Sequence, residues 1–433
     1  MRTHYTSEIT PELEGERVEV CGWVHEIRDL GSVKFLILRD RDGFIQITAK
    51  KNLCEDKILR LIGSISRESV LKVLGEVKKS DKAPHGVEIL PLKIEILSLA
   101  ETPLPLDVTK KVDADLDTRL DNRFLDLRKP EIAAIFKLRA KVVESARKFL
   151  IKNNFIEIYT PKIIASASEG GTELFPVSYF DKDAFLAQSP QLYKQMMMAT
   201  GFDRVFEITP YFRAEQHDTR RHINEVTAID IEMAFIEDEE DIMKILEGMV
   251  REMLKKASHS NELKFLGKSI KVQEKKFKRI SYDEALELLL EERGKKIPWG
   301  EDLDRESEKM LGEIMKEKFD VDLYFLVKYP LKVKPFYTMP LDDKYSRSFD
   351  LAYKGVEISS GGQRIHQYEL LKKQIKAKGL KPENFEFYLK VFRYGMPPHG
   401  GFGFGIDRIM MQMLDVGIRE VVLFPRDRHR LTP

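Results

Sequence analysis

The sequence predicts an α+β protein in which an N-terminal β-barrel precedes a mostly antiparallel sheet flanked by helices. Three observations support this class. The first hundred residues form short apolar–polar alternations, later residues mix helical and strand periods, and a charged, proline-containing segment separates the two regions. A length of 433 residues also exceeds what one hydrophobic core usually supports. We therefore expect a first domain over 1–100, a linker over 101–122 and a second domain over 123–433.

Five runs in the first domain have the period of two that is typical of half-buried strands: RVEVCGWVHEIR, VKFLILRD, GFIQITAK, SVLKVLGEVKK and VEILPLKIEIL. A short helical segment, EDKILRLIG, lies between the third and the fourth run. Five strands with a helix at this position are typical of the OB-fold, a barrel that commonly binds oligonucleotides. The pattern favours an OB-fold here.

The second domain begins with the amphipathic helix PEIAAIFKLRAKVVESARKFLIKNN, which has Pro130 in its first turn. The strand FIEIYTP follows. Two further strands, RVFEITPYFR and EVTAIDIEMAFIE, flank a polar loop, and GGFGFGIDRIMMQML is typical of a glycine-rich strand that enters a helix. Residues 238–320 are mainly helical, and a capping box from Ser281 to Glu284 begins one of the helices.

Composition limits the class of protein. Lys and Arg number 72 against 71 acidic residues, a net charge of +1, so any nucleic-acid site must be a local patch. Cys21 and Cys54, the two cysteines, lack the neighbours that a zinc site needs. No signal peptide and no apolar run of 18 residues is visible, so we expect a soluble, cytoplasmic protein without a membrane segment.

Two groups of charged residues suit phosphate chemistry. Arg213, Arg220, Arg221 and His222 lie in one inter-strand loop and could converge on a triphosphate, although a solvated hairpin tip is an alternative. Asp350 and Glu357 flank YKG, so a hairpin there would bring both carboxylates together as ligands for Mg²⁺. Ordinary surface acids of a strand are the alternative. Arg364 follows in SSGGQR, and Arg408 begins the helix after GFGFGID.

Lys194 is the one charged residue in AQSPQLYKQMMMATG, a methionine-rich helical segment. Taken alone, such a lysine is most simply one that snorkels to solvent. Its functional interpretation depends on the other motifs.

These stretches resemble the three motifs of class II aminoacyl-tRNA synthetases. Residues 124–163 are similar to motif 1, residues 206–233 to motif 2 and residues 400–414 to motif 3, in order and behind an OB-like domain. Within that class, ASEGGTELFPV, QSPQLYKQ, EISSGGQRIH and GIDR resemble the aspartyl-tRNA synthetase family of archaeal and eukaryotic type. The resemblance implies ATP-dependent attachment of L-aspartate to tRNA(Asp) through an aspartyl-adenylate.

The resemblance also implies residue roles. Arg213 would stabilise the transition state of adenylate formation, and Lys194 with Arg364 would form a cationic pocket for the side chain of aspartate. The implied aspartate site comprises Glu169, Gln191, Leu192, Tyr193, Lys194, Arg213, Asp230, Ser360 and Arg364. The implied ATP site comprises Arg213, Ala214, Glu215, Arg221, His222, Ile223, Glu357, Gly405, Ile406, Asp407 and Arg408. The implied Mg²⁺ ligands are Asp350, Glu357 and Ser360.

Within the aspartate site, Asp230 and Gln191 would meet the α-ammonium, and Glu169 would close over it in a mobile loop. A neutral amide substrate would leave Lys194 and Arg364 desolvated and unpaired, which predicts discrimination against asparagine. One departure from the family pattern is Val226, where many relatives have an aromatic residue under the adenine.

For tRNA, the resemblance implies anticodon contacts from Arg28, Phe35 and Gln46 on the barrel, with a core position as the alternative for Phe35. His25 and Pro84 resemble the relaxed form of the enzyme, which also aspartylates tRNA(Asn) and needs an amidotransferase partner to complete that product. A strictly discriminating aspartyl enzyme is the alternative.

Two rival interpretations are an asparaginyl-tRNA synthetase and a non-catalytic tRNA-binding relative. Asp407 in GIDR and Lys194 in QLYKQ point away from the first, and the presence of Arg213, Arg408 and Glu357 points away from the second. The motif 1 resemblance further implies a homodimer.

Overall fold

The computed structural model describes residues 2–109, 111–165, 174–215 and 219–433. The chain divides into two compact units, Met1–Leu125 and Asp126–Pro433. The segment expected to be a linker, 101–122, therefore falls in the first unit, and it includes a helix over Leu116–Asp121.

A closed five-stranded barrel forms most of the first unit, which confirms the OB-fold. Its strands lie in the spatial order β1-β2-β3-β5-β4, and a helix joins the third strand to the fourth. The elements are β1 (Arg17–Asp29), β2 (Val33–Arg39), β3 (Phe44–Lys50), α1 (Asp56–Ser64), β4 (Val70–Lys79) and β5 (Val87–Ser98). All five strands and the helix lie where the alternation of the sequence predicted them.

Alternation also determines which side chains fill the barrel. In β2 the buried Leu36 and Leu38 alternate with the partly exposed Phe35 and Ile37. Because successive side chains of a strand point to opposite faces, the first pair packs in the core and the second lies on the outer face. The alternative of a core position for Phe35 is therefore wrong.

The second unit contains an eight-stranded sheet in the order β12-β13-β14-β15-β16-β11-β10-β6. Only its edge pairs, β12–β13 and β10–β6, are parallel, so the prediction of a mostly antiparallel sheet is confirmed. After α2 (Leu116–Asp121) and α3 (Arg123–Asp126), the elements are α4 (Pro130–Lys152), β6 (Ile156–Glu157), β7 (Ile163–Ile164), β8 (Pro176–Tyr179), β9 (Lys182–Leu186), α5 (Gln191–Met197), β10 (Arg204–Phe212), β11 (Glu225–Ala234), α6 (Glu239–Ser258), α7 (Asn261–Phe265), β12 (Lys278–Ser281), α8 (Tyr282–Arg293), α9 (Arg305–Phe319), β13 (Leu323–Val327), β14 (Ser348–Tyr353), β15 (Val356–Arg364), α10 (Tyr368–Ala377), α11 (Glu386–Phe392), β16 (His399–Gly405) and α12 (Ile406–Leu414).

The central strands of this sheet have one apolar face and one polar face. In β11, Ile229 and Ile231 join a core cluster that includes side chains of α4, α6 and α12, whereas Asp230 and Glu232 point to the other side. The same core contains Phe402 and Phe404 of β16. Helices therefore cover one face, and the opposite face is left for polar side chains.

Gly401 shows why β16 is glycine-rich. A Cβ atom at this position would lie 2.0 Å from the carbonyl oxygen of Ile231 and 2.2 Å from the Glu232 carboxylate. Any larger residue would displace the neighbouring strand or the carboxylate.

The capping box that begins α8 forms as predicted: Ser281 Oγ accepts from the Glu284 amide, and the Glu284 carboxylate accepts from the Ser281 amide. Within the described ranges, none of the helices combines the length and apolarity needed to cross a bilayer.

Candidate active site

A cavity of about 300 Å³ opens on the polar face of the large sheet. It is lined by residues from β10, β11, β15, β16 and the start of α12, so the second and third motif-like regions contribute to it. Its charged lining residues are Arg213, Glu215, Arg221, Asp230, Lys334, Glu357, Arg364, Asp407 and Arg408. The four arginines that the sequence placed in the site therefore surround one space.

Lys194 and Arg364 converge on a residue that the sequence analysis missed, Glu232. Arg364 Nε donates to Glu232 Oε1 over 3.1 Å, and Lys194 Nζ lies 3.5 Å from Glu232 Oε2. Lys194 Nζ also donates to Asp230 Oδ1 over 2.9 Å and to the Phe402 carbonyl over 3.2 Å. All four charged side chains are at least 94% buried. The two cations are thus balanced by two carboxylates.

This pairing corrects the reason given for discrimination against asparagine. The sequence suggested two cations without partners, but such groups would be very costly to bury, and the protein neutralises them with its own carboxylates. Burial disfavours the charge of Arg364, yet Glu232 raises the pKa of its guanidinium. Asp230 and Arg364 line the cavity, whereas Lys194 is not among its described lining residues.

A neutral histidine lies next to this cluster. His399 is fully buried, and burial lowers its pKa to about 4. Its Nδ1 lies 2.8 Å from the Pro397 carbonyl, which can only accept, so Nδ1 carries the proton. Its Nε2 then accepts from the Gln195 amide over 3.0 Å.

Helix α5 presents different faces to different surroundings. Lys194 and Gln195 face the charged cluster and His399, and Gln191, which lines the cavity, donates to Gln195 Oε1 over 2.9 Å. Leu192 belongs to a separate apolar cluster, and Tyr193 lines another cavity beside Pro161. Neither of these two side chains lines the candidate site, so we leave both out of the proposed aspartate pocket.

The expected magnesium ligands share one face of the β14–β15 hairpin because of a β-bulge. Asp350 pairs with Ser360 and Ala352 with Glu357, which leaves Ile358 as an extra residue on β15. In a regular strand without the bulge, Glu357 and Ser360 would lie on opposite faces, since they are three positions apart. The bulge therefore brings two carboxylates and a hydroxyl to the same side, and these are oxygen donors of the type that Mg²⁺ prefers.

Cations of the protein contact both of these carboxylates. Lys334 Nζ lies 2.9 and 3.2 Å from the two oxygens of Asp350, and Arg408 Nη1 lies 3.3 Å from Glu357 Oε1. In the described parts of the chain, no group of three or more His, Cys, Asp or Glu side chains is arranged to hold a metal. An ion here would take its remaining ligands from phosphate and water.

Most of the expected adenine and α-phosphate residues also line the cavity. Glu215 lies 4.0 Å from Arg213 Nη1 and 3.7 Å from His222 Nε2, and the guanidinium of Arg213 lies over the Tyr211 ring at 5.6 Å. Ile223 and Val226 provide aliphatic lining. The side chain of Ala214 instead borders a neighbouring cavity.

Two residues of the motif 3 region have structural contacts. Asp407 forms an ion pair with Arg139 of α4, and its Oδ2 accepts from the Thr227 amide over 2.9 Å, which ties together α4, β11 and α12. Ile406 is fully buried in the core, next to Gly405, which lines the cavity. Only the backbone of Ile406 is therefore a candidate for contact with ATP.

Arg221 has a second partner that the sequence did not indicate. Its Nη1 donates to Glu308 Oε2 of α9 over 2.9 Å. Burial and the neighbouring Glu357 raise the pKa of Glu308 to about 7. Of the residues that the sequence analysis missed, Glu232 had a signal, because it alternates with Asp230, whereas no sequence motif includes Lys334 or Glu308.

The proposed anticodon residues share one face of the barrel. Arg28 pairs with Phe35 across β1 and β2, and Phe35 pairs with Thr48 of β3, two positions from Gln46 on the same side. Gln46 Nε2 donates to Glu88 over 3.0 Å. This register brings a cation, an aromatic ring and an amide together on the outer surface of the first unit.

The two positions tied to tRNA discrimination also lie on the first unit. His25 is half-buried beside Phe44, with Nδ1 3.2 Å from Arg39 Nη1, and burial lowers its pKa. Pro84 begins a short turn before β5. Glu169, expected to close over aspartate, lies outside the described residues.

The barrel, the antiparallel sheet and the arginine-lined cavity together define a class II aminoacyl-tRNA synthetase. Residues 115–428 match the family described as tRNA synthetases class II (D, K and N), and residues 18–97 match the OB-fold nucleic acid binding domain. Over the full length of both chains, the sequence is 59% identical to an aspartate–tRNA(Asp) ligase of Thermococcus kodakarensis and 52% identical to an aspartate–tRNA(Asp/Asn) ligase of Methanopyrus kandleri. The chain belongs to the aspartate–tRNA ligase family.

Solved structures support the class but do not separate the two amino acids. An asparaginyl-tRNA synthetase of Pyrococcus horikoshii aligns with a TM-score of 0.90 at 34% identity, covering 99% of each chain. An aspartyl-tRNA synthetase of Entamoeba histolytica aligns with a TM-score of 0.86 at 35% identity, covering 99% of this chain and 93% of the other. Sequence relatives, rather than the fold, therefore favour aspartate over the asparaginyl alternative. The protein is an aminoacyl-tRNA ligase and not a non-catalytic relative.

Proposed function

We propose that the cavity activates L-aspartate with ATP and that the protein then transfers the aspartyl group to tRNA. The observation that carries this proposal is the convergence of Arg213, Arg221, Arg364 and Arg408 on one cavity that also contains Asp230 and Glu357. An amino acid with two carboxylates and a triphosphate together bring several negative charges, which these guanidinium groups can position and neutralise.

Aspartate would bind by exchanging ion pairs with the protein. Its α-ammonium would form an ion pair with Asp230, and its side-chain carboxylate would form ion pairs with Lys194 and Arg364. The Lys194–Asp230 pair is lost, but each of its members gains a partner from the substrate. Asparagine would occupy Asp230 with its ammonium and leave Lys194 with fewer negative partners. Discrimination then follows from the change in ion pairing on binding.

Adenylate formation needs in-line attack of the α-carboxylate of aspartate on the α-phosphorus of ATP, with pyrophosphate leaving. Arg213 would contact the α-phosphate and stabilise the charge that grows there, while Arg221 and His222 contact the outer phosphates. Arg408 and the aliphatic residues Ile223 and Val226 would enclose the adenine, and Glu215 would accept from its amino group.

Mg²⁺ is the metal that the oxygen donors Asp350, Glu357 and Ser360 suit best. Bound there, it would neutralise charge on the phosphates. Lys334 would have to move away from Asp350 for the carboxylate to coordinate the ion.

The direct test is ATP–pyrophosphate exchange with aspartate or asparagine as the amino acid. We expect exchange with aspartate and little with asparagine. The absence of exchange with aspartate would refute the proposal, and equal exchange with both amino acids would refute the assignment of aspartate.

For tRNA, we propose the relaxed specificity suggested by His25 and Pro84, which includes tRNA(Asn) as well as tRNA(Asp). Relatives with each specificity are similar to this chain. Four of them, at 57–59% identity, are named for tRNA(Asp), and four others, at 52–53% identity, are named for tRNA(Asp/Asn). Two transcripts that differ only in the last anticodon base should both be charged. If only one is charged, the enzyme is strict and needs no amidotransferase.

We also propose a homodimer formed through the motif 1 region. Four apolar side chains at the end of α4 or just after it are between 46% and 83% exposed, which is typical of an interface. They are Ile151, Ile156, Tyr159 and Ile163. Light scattering coupled to size-exclusion chromatography should give twice the chain mass.

Because tRNA charging accompanies translation, we propose that the enzyme acts in the cytoplasm.

A further inference from the structure

Glu308 lies outside the three motif-like regions, yet its carboxylate contacts Arg221, which lines the candidate site. It belongs to the first turn of α9, and its Oε2 accepts from Arg221 Nη1 over 2.9 Å. The two side chains are only 15% and 27% exposed. Glu308 also borders a second cavity, of about 340 Å³, which shares Lys334, Glu357 and Ser360 with the first.

Within the described structure, one edge of the Arg221 guanidinium has no protein partner. Among the described residues, Glu308 is the one acceptor of its side chain, through Nη1, so Nη2 and Nε have no protein partner there. A guanidinium carries five N–H donors in a fixed fork. The contact with Glu308 therefore fixes the plane of the group without using the donors that would bind phosphate.

We infer that Glu308 is a positioning residue for ATP: it holds Arg221 so that the free edge of the guanidinium faces the outer phosphates. The inference rests on the phosphate role proposed above for Arg221. A carboxylate near a polyphosphate also repels it, so the two effects of Glu308 have opposite signs. Positioning should dominate, because Arg221 lies between the two anions and because a long, partly buried side chain loses much affinity when it is no longer held in place.

The test is the affinity of the intact enzyme for ATP and for AMP in the presence of Mg²⁺, measured by calorimetry at about pH 8, where Glu308 is mostly ionised. AMP lacks the outer phosphates and so does not need Arg221. Glu308→Gln should weaken ATP binding by about tenfold, because a neutral acceptor replaces a charged one in the hydrogen bond to Arg221, and should leave AMP binding within about twofold. Glu308→Ala should weaken ATP binding further, since it removes the acceptor as well as the charge.

Glu313→Gln is the matched control, because Glu313 lies on the same helix with its carboxylate about half exposed, 3.8 Å from the exposed Lys309. It should change neither affinity. A general structural effect of Glu308→Gln would weaken ATP and AMP alike, and this outcome would overturn the inference. Tighter ATP binding would overturn it too, because Glu308 would then act mainly by repulsion.

Arg221→Ala separates a failure of this inference from a failure of the proposed function. If this variant binds ATP normally, the phosphate role of Arg221 is wrong. If it loses ATP affinity while Glu308→Gln does not, only the role of Glu308 is wrong. The double variant Arg221→Ala/Glu308→Gln should bind ATP as weakly as Arg221→Ala alone, because Glu308 acts through Arg221. Additive losses would contradict this.

Discussion

Replacing Glu232 by glutamine tests whether the charged cluster serves the substrate or only the fold. Glu232 is fully buried, lies 3.1 Å from Arg364 Nε and 3.5 Å from Lys194 Nζ, and glutamine has nearly the same shape. The change removes one of the two negative charges that balance two buried cations. Breaking such a network costs about 3–5 kcal/mol, and we expect the lower end because the glutamine oxygen still accepts from Arg364.

Two measurements are needed, the free energy of unfolding in urea and the kinetics of ATP–pyrophosphate exchange. The Glu232→Gln variant should lose about 3 kcal/mol of stability. Its kcat/KM for aspartate should fall by about two orders of magnitude, because Lys194 and Arg364 are no longer held together, while its KM for ATP stays within about twofold.

Glu247→Gln is a matched control on the opposite side of the sheet. Glu247 is also a buried carboxylate between two cations, with oxygens 2.8 Å from Arg251 Nη2 and 2.8 Å from Arg279 Nη1, but it lies on α6, away from the cavity. We expect a similar loss of stability with an unchanged KM for aspartate. If the two variants behave alike in both assays, Glu232 has only a structural role, and the reasoning about the substrate is refuted.

Three further changes give distinct signatures. Lys194→Met should reduce aspartate activation by about two to three orders of magnitude and spare the KM for ATP; unchanged exchange activity would return Lys194 to a structural role. His399 has a folded-state pKa of about 4, below its ordinary value, so the unfolded chain binds its proton first as pH falls and stability is lost below about pH 6.5. Between pH 7.5 and 5 the wild type should lose about 2 kcal/mol more than His399→Asn in urea unfolding, and equal losses would contradict a neutral buried imidazole. Phe35→Ala should raise the KM for tRNA in charging by about tenfold without affecting ATP–pyrophosphate exchange, which needs no tRNA; an equal loss in both assays would indicate a folding defect.

The elements that could be predicted are those whose packing repeats along the chain. Each barrel strand alternates between core and surface, and the helix over Pro130–Lys152 shows an amphipathic period, so local pattern and burial agree. The hairpin expected at YKG also forms, and Lys354 and Gly355 both adopt positive φ angles in its tight turn. In the candidate site, the arginines of the motif-like regions were found because their spacing matches the family.

What the sequence could not provide is the set of partners that the fold brings together. Glu308 and Arg221 are 87 positions apart, and Arg364 and Glu232 are 132 apart, so no local pattern links them. The bulge at Ile358 is a second example, because one extra residue decides whether Glu357 and Ser360 share a face. Such features depend on strand register, which a single sequence specifies only through the complete set of packing contacts.

The two buried carboxylates beside Lys194 and Arg364 solve a problem of stability that a binding site for a diacid has. Two buried cations that wait for the substrate without partners would destabilise the free enzyme by several kcal/mol each. Asp230 and Glu232 remove that cost, but Glu232 is fully buried and does not line the described cavity, whereas Asp230 does. Only Asp230 is therefore positioned to change partners when an α-ammonium enters. If Lys194 and Arg364 bind the side-chain carboxylate as proposed, its recognition depends on recognition of the ammonium. A diacid without an amino group should then bind poorly, although it carries the same side-chain charge.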